Sequence, residues 1–140
     1  MKRAEVRKIK KCLHFSDDKP RGKQDKLCKV KPLFDYCNRV FKQFGTNSTA
    51  HSIDETMVPA HFHVSFRQRM TGKPIRVGYK VWTLATHDGY PMHMDVYQGK
   101  GSVQESREMA GLGQGASVIW SMTQKLEKPQ ENRFFFDNYF

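Results

Sequence analysis

Two acidic residues stand where the interior of a folded chain ordinarily has none. Asp54 lies within the stretch HSIDETMV, among apolar and small residues, and Asp137 follows the three phenylalanines of RFFFD. A carboxylate in or at the end of an inner strand is costly unless it is paired, hydrogen-bonded or bound to a metal. One interpretation is a pair of acids that holds Mg²⁺ for phosphoryl transfer, because Mg²⁺ prefers carboxylate oxygens and paired ions stabilise the attacking and leaving oxygens. The alternative is two strand-end acids that face solvent or accept hydrogen bonds from backbone N–H groups.

The residues around these acids predict the strands that position them. HSIDETMV is typical of a strand, and IRVGYKVWTLAT and YPMHMDVYQG are predicted to pair antiparallel through the turn residues HDG. ASVIWSMTQKL has the apolar spacing of a helix, and the continuous apolar run RFFFD predicts a strand buried on both faces. A strand reached through a helical crossover is normally parallel to a predecessor. We therefore predict an α/β mixed sheet with Asp137 at the carboxyl end of a strand, where ligand chemistry gathers.

Two helices are predicted ahead of the sheet. In RAEVRKIKKCLHF, residues Val6, Ile9 and Leu13 recur at helical spacing between lysines and arginines. DKLCKVKPLFDYCNRVFKQFG has a longer apolar face, which Pro32 is predicted to kink or to begin and Gly45 to end. The apolar face of this second helix consists of Leu27, Val30, Phe34, Cys37, Phe41 and Phe44.

The positive charge is concentrated in the helical part of the chain. Residues 1–50 hold 14 Lys and Arg against 5 Asp and Glu, whereas residues 51–140 hold 10 against 9. This asymmetry indicates a polyanionic partner, most simply nucleic acid, although a solvated basic surface explains it equally well. The cluster Lys8-Ile9-Lys10-Lys11 is compatible with a nuclear localisation signal or with the basic face of a helix. The predicted nucleic-acid contacts are Lys8, Lys10, Lys11, Lys29, Lys31, Lys73 and Arg76.

Composition argues against two other classes of protein. No apolar run approaches the length of a membrane span, and the charged N-terminus has no apolar core of a secretion signal, so we expect no membrane association. The three cysteines form no CxxC pair and indicate reduced thiols in an intracellular protein.

A series of motifs, taken together, resembles the piggyBac-type transposases. Their order and spacing hold from about residue 4 to residue 140, through LHFSDD, DKLCKVKPLFD, SIDETMVP, GKPIRVGYKVW, GYPMHMDVYQGKG, GLGQGASV and FFFDNYF. The resemblance implies an RNase H-like catalytic domain in which three aspartates bind two Mg²⁺ ions for DNA cleavage and strand transfer. It also implies that Asp54 is the first of these aspartates and Asp137 the second. The third lies downstream in the family, so this chain is expected to be a fragment that ends before it.

Further expectations follow from the resemblance. Residues 1–48 would be a basic helical segment, and residues 49–140 the first part of the RNase H-like domain, an incomplete sheet of three antiparallel strands, a crossover helix and a fourth parallel strand. The partners would be transposon ends and TTAA target DNA in the nucleus, with a homo-oligomer as a possibility. We expect that the ancestral protein carried out cut-and-paste transposition and that this fragment is inactive.

Two alternatives remain open beside this expectation. One is a domesticated, non-catalytic nuclear module that binds DNA or protein, and the other is the translation of a pseudogene without function. The family usually has Gly-Arg shortly after its DE-x-M-V-P motif, whereas this chain has Phe62 and His63. Phe62 in place of glycine reduces backbone freedom, and His63 in place of arginine removes a permanently charged guanidinium group suited to binding phosphate. Both changes favour a decayed or repurposed copy.

Overall fold

The computed structural model describes residues 1–16, 26–45, 48–60, 65–99, 111 and 113–137. The predicted departure at Phe62 and His63 lies outside these residues, as does most of the polar connection at 100–112. The chain forms two compact units, Met1–Cys37 and Asn38–Phe140. The predicted division into domains at residue 48 stays a prediction.

Both predicted helices are confirmed. The helix α1 spans Arg3–Cys12, and α2 spans Lys31–Phe44. Pro32 is the second residue of α2, where its missing N–H removes no hydrogen bond from the helix, and Gly45 follows the last turn. Neither helix, both of which are described throughout, contains a buried residue. Among the described residues, no helix has the length and apolar character that crossing a bilayer requires.

The predicted mixed sheet is also confirmed, with one strand more than expected. The five strands are β1 (Ala50–Pro59), β2 (Gln68–Arg69), β3 (Val77–Thr86), β4 (Pro91–Val96) and β5 (Arg133–Phe135). Their order in the sheet is β2-β3-β1-β5, and β4 pairs with the same edge of β3 as the two-residue β2. Antiparallel pairing joins β1 to β3 and β3 to β4, whereas β5 is parallel to β1.

Local chemistry explains the connections around β4 and β5. The predicted HDG turn joins β3 to β4: the N–H of Gly89 donates to the carbonyl of Thr86 at 2.9 Å, and Gly89 has a φ of 87°, which a glycine adopts without steric cost. The crossover helix α3 spans Gly113–Thr123 and begins three residues earlier than ASVIWSMTQKL predicted. A short 3₁₀ helix, Pro129–Glu131, leads from there into β5.

The core lies between one face of the sheet and α3. Alternation along β1 and β3 directs Ile53, Trp82 and Leu84 to this face, where they pack with Val118 and Met122 of α3. The prediction that the RFFFD strand is buried on both faces is wrong for the described chain. Phe134 packs against the core, but Phe135 is 59% and Phe136 51% exposed. The physical reason is that the described core, with α3, lies on the face of the sheet to which Phe134 points, whereas alternation directs Phe135 to the other face.

The outer edge of β4 is occupied by a side chain of α2. The amide nitrogen of Asn38 donates to the carbonyl of Met94 at 2.9 Å, and the amide oxygen accepts from the N–H of Met94 at 2.8 Å. Asn38 thus makes the pair of hydrogen bonds that a neighbouring strand would make. A second hydrogen bond joins α2 to the residue before β4: the hydroxyl of Tyr90 donates to the carbonyl of Phe41, one turn after Asn38, at 3.1 Å.

Candidate metal site

The parallel pairing of β5 with β1 determines where Asp137 lies. In this register Ser52 lies opposite Phe135, so two residues further along each chain Asp54 and Asp137 come side by side. Buried His51 supports this register, because its Nε2–H donates a hydrogen bond to the Oδ1 of Asn132 across 3.0 Å and its ring stacks on Phe134. The N–H of Arg133 also donates to the carbonyl of Thr49 at 2.8 Å.

The structure brings the two predicted acids together and adds a third. Asp54, Glu55 and Asp137 each offer a carboxylate oxygen, and these oxygens all lie within 4.8 Å of one another. Asp54 and Asp137 are exposed, while Glu55 is buried. The Oδ1 of Asp54 accepts a hydrogen bond from the backbone N–H of Glu55 at 2.7 Å, which turns this carboxylate along the strand. We call these three residues the acid cluster; the roles of Asp54 and Asp137 in catalysis and in metal binding stay predictions.

Two lysines accompany the buried member of the acid cluster. Lys73, from the turn between β2 and β3, places its Nζ 3.2 Å from the Oε1 of Glu55. Lys80, on β3, places its Nζ 4.0 Å from the Oε2 of Glu55 and 3.8 Å from the centre of the Trp82 ring. A buried carboxylate is tolerated when positive groups of this kind compensate it, and the ring face of Trp82 stabilises the Lys80 ammonium further.

The surroundings of the two lysines shift their pKa values in opposite directions. The hydrogen bond to Glu55 raises the pKa of Lys73. The negative charges of Glu55, Asp54 and Asp137 raise this pKa further, whereas partial desolvation lowers it. Burial lowers the pKa of Lys80, and the charge of Glu55 offsets only part of that effect. Lys73 is therefore a well-stabilised cation beside the acid cluster, whereas Lys80 is a cation held at a desolvation cost.

The predicted nucleic-acid contacts fall in both units of the chain. Lys8, Lys10 and Lys11 are exposed on α1, and Lys29 and Lys31 are exposed at the start of α2. Arg76 is exposed in the turn before β3. Lys73 differs from the others because its ammonium contacts Glu55. A role of these seven residues in binding nucleic acid stays a prediction.

The α/β mixed sheet, with one acid on β1 and another two residues beyond the parallel strand β5, fits the class of protein that the motifs indicated. Comparison with known families agrees. The whole chain, residues 1–140, matches the family model described as Transposase IS4. The chain therefore belongs to the IS4/piggyBac-type transposase family, and it is a transposase-derived protein of the piggyBac type.

Two human proteins are similar to the chain over most of its length. PiggyBac transposable element-derived protein 3 of Homo sapiens is 35% identical over 142 aligned positions, which cover 100% of this chain and 23% of that protein. PiggyBac transposable element-derived protein 2 of Homo sapiens is 31% identical over 133 positions, which cover 91% of this chain and 22% of that protein. The chain thus spans less than a quarter of the length of these curated relatives.

A solved structure has the same fold. The cryo-EM structure of a piggyBac transposase synaptic complex with hairpin DNA matches with a TM-score of 0.76 and 16% sequence identity. The match covers 97% of this chain and 33% of that one. At this identity the match concerns the fold alone, and it confirms the predicted RNase H-like mixed sheet.

Proposed function

We propose that this chain is part of a DNA-processing protein in which Asp54 and Asp137 hold a divalent cation for phosphoryl transfer. The observation that carries the proposal is the acid cluster, whose carboxylate oxygens from β1 and from the residues after β5 lie within 4.8 Å of one another. Membership of a transposase family supports the same reaction class. The ancestral activity that we propose is DNA cleavage and strand transfer in cut-and-paste transposition.

The residues of the acid cluster fit Mg²⁺. Hard cations of this kind take carboxylate oxygens as ligands and keep several of their waters, so two exposed carboxylates that lie close together form a suitable donor set. When bound, the cation would supply Lewis-acid stabilisation of charge on a phosphoryl oxygen. Asp54 and Asp137 would hold it, and the hydrogen bond from the N–H of Glu55 keeps the Asp54 carboxylate oriented.

We propose that residues 1–140 by themselves do not cleave DNA. Two-metal catalysis needs enough carboxylates to fix both ions, and the resemblance assigns two of the family's three aspartates to this stretch. The assay is the purified chain with Mg²⁺ or Mn²⁺ and a DNA end that carries TTAA, in which we expect neither nicking nor joining. A product that disappears in the Asp54→Ala variant would contradict this proposal and show that two aspartates suffice.

DNA is the proposed partner, and the basic helical part of the chain is its proposed contact. The solved structure of similar fold is a complex of transposase with hairpin DNA, and the lysines of α1 and of the start of α2 are exposed. We further propose that the DNA is a transposon end or a TTAA target. The protein would act in the nucleus and assemble into a homo-oligomer.

Replacing five of these lysines is expected to remove most of the affinity for DNA. The positive charge displaces counterions from the phosphates, so wild-type binding to a random duplex should be weak and should fall steeply between about 50 and 200 mM salt. The variant carries glutamine at Lys8, Lys10, Lys11, Lys29 and Lys31. Fluorescence anisotropy over a salt series measures both the affinity and its salt slope.

A matched variant with arginine at the same five positions keeps the charge and should bind with an unchanged salt slope. If the glutamine variant binds as the wild type does, or if wild-type binding is indifferent to salt, the basic segment is only a solvated surface.

The domesticated, non-catalytic DNA-binding module stays a second candidate function. The observation that favours it is the separation of the two features: the five lysines lie in Met1–Cys37, whereas the acid cluster lies in Asn38–Phe140. Such a module would bind DNA equally well with and without divalent cations and in the Asp54→Ala variant. A transposase fragment that keeps its cation site would instead bind a DNA end more tightly when the cation is present.

A further inference from the structure

The acid cluster already has a cation of its own. Glu55 has a side chain that is only 3% exposed, and its Oε1 contacts the ammonium of Lys73 at 3.2 Å. Its Oε2 is buried and has no hydrogen-bond partner among the described residues. The carboxylate of Glu55 therefore depends on ion pairs for its compensation, and Lys73 makes the closer one.

The two lysines at Glu55 differ in their freedom to leave. The side chain of Lys80 is 6% exposed, lies on the central strand β3 and covers the ring of Trp82, so its ammonium is fixed by the core. The side chain of Lys73 is 36% exposed and comes from the turn between β2 and β3. Its ammonium can therefore move into solvent without disturbing a strand.

The charges of the acid cluster and its lysines determine how strongly another cation is attracted. Three carboxylates and two ammonium groups leave one net negative charge, and without Lys73 two would remain. The attraction of a divalent ion to the site should therefore increase sharply when the Lys73 ammonium moves away.

We propose that Lys73 is an internal counter-ion that occupies the acid cluster in competition with a divalent cation. In this proposal the ammonium leaves Glu55 when the cation binds, and the freed Glu55 carboxylate becomes an additional group that faces the ion beside Asp54 and Asp137. Lys73 thereby sets the cation concentration at which the site fills. The proposal rests on the proposed function, namely that Asp54 and Asp137 bind a divalent cation.

The test measures Mn²⁺ affinity of the full chain by electron paramagnetic resonance of the free ion. The variant Lys73→Met keeps the length of the side chain and removes its charge, and we expect it to bind Mn²⁺ on the order of tenfold more tightly than the wild type. Arg69→Met removes one positive charge from an exposed residue of the neighbouring strand β2 and is the matched control. Its effect should stay within about twofold, because exposed charges are screened.

A double-mutant cycle identifies the contact that is responsible. With Glu55→Gln in the background, Lys73→Met should change the affinity little, because the carboxylate that holds the ammonium is gone. Lys73→Gln serves as a second variant in case Lys73→Met does not fold, which circular dichroism reports independently. Equal affinities of wild type and Lys73 variants, or an equal gain in Arg69→Met, would overturn this inference while leaving the proposed function intact. Absence of Mn²⁺ binding in the wild type and in the Lys73 variants would overturn both.

Discussion

Replacing Asp54 with alanine is expected to weaken Mn²⁺ binding by about a hundredfold or more. Asp54 is one of two exposed carboxylates in the acid cluster, and a hard cation with so few protein ligands depends on each of them. Even residues that only orient a ligand typically contribute 10- to 100-fold to metal affinity, so the loss of a direct ligand should be at least as large. Mn²⁺ reports on a Mg²⁺ site because both ions suit carboxylate and water ligands.

The control for this prediction is Asp35→Ala, which also removes an aspartate carboxylate, but from an exposed position on α2. The net charge changes equally in both variants, so a difference between them measures the site and not the charge of the chain. Asp137→Ala should match Asp54→Ala. If Asp54→Ala binds Mn²⁺ like the wild type, or if Asp35→Ala loses as much affinity, the metal assignment is wrong.

Replacing Trp82 with alanine is expected to lower the free energy of unfolding by about 3–5 kcal/mol. Trp82 is 2% exposed and packs with Ile53, Leu84, Val118 and Met122, so its removal leaves a cavity between the sheet and α3. The change also removes the ring over which the Lys80 ammonium lies. Because domains of this size are stable by only about 5–15 kcal/mol, the variant should be largely unfolded in moderate urea.

Urea denaturation followed by far-ultraviolet circular dichroism measures this effect. The matched control is Phe44→Ala, which truncates an aromatic residue that is 66% exposed at the end of α2. Surface truncations of this kind usually stay within about 0.5 kcal/mol. Similar midpoints for the two variants would contradict the assignment of Trp82 to the core.

The strands and their pairing could be predicted because their signals are local. Alternation along HSIDETMV, the turn residues HDG and the crossover helix before RFFFD each determine one connection, and together they predict a mixed sheet. The proximity of Asp54 to Asp137 follows from that topology, since parallel neighbours bring equivalent ends together.

The surroundings of Glu55 could not be predicted in the same way. Alternation along β1 puts Glu55 on the face opposite to that of Asp54, so periodicity did not predict that Glu55 would join the acid pair. Its compensation by Lys80 depends on the register of β1 against β3, and its contact with Lys73 depends on the path of a turn. Both are tertiary features without a periodic signal.

The exposure of Phe135 shows another limit of periodicity. A continuous apolar run reports that both faces of a strand are apolar, but it does not report how many neighbouring strands and helices cover them. In the described chain the core lies against the Phe134 face of β5, so Phe135 remains exposed on the other face.

The Asn38 amide has a consequence for how copies of this chain could associate. A strand edge with free N–H and C=O groups templates the addition of a strand from another molecule. At Met94 both the N–H and the C=O group are hydrogen-bonded to Asn38, so neither is available to pair with an added strand. The opposite edge, at β5, instead presents the exposed rings of Phe135 and Phe136. In the described chain the two edges of the sheet therefore differ: at Met94 an amide side chain already occupies the backbone groups that strand addition needs, whereas exposed aromatic rings lie beside the β5 edge.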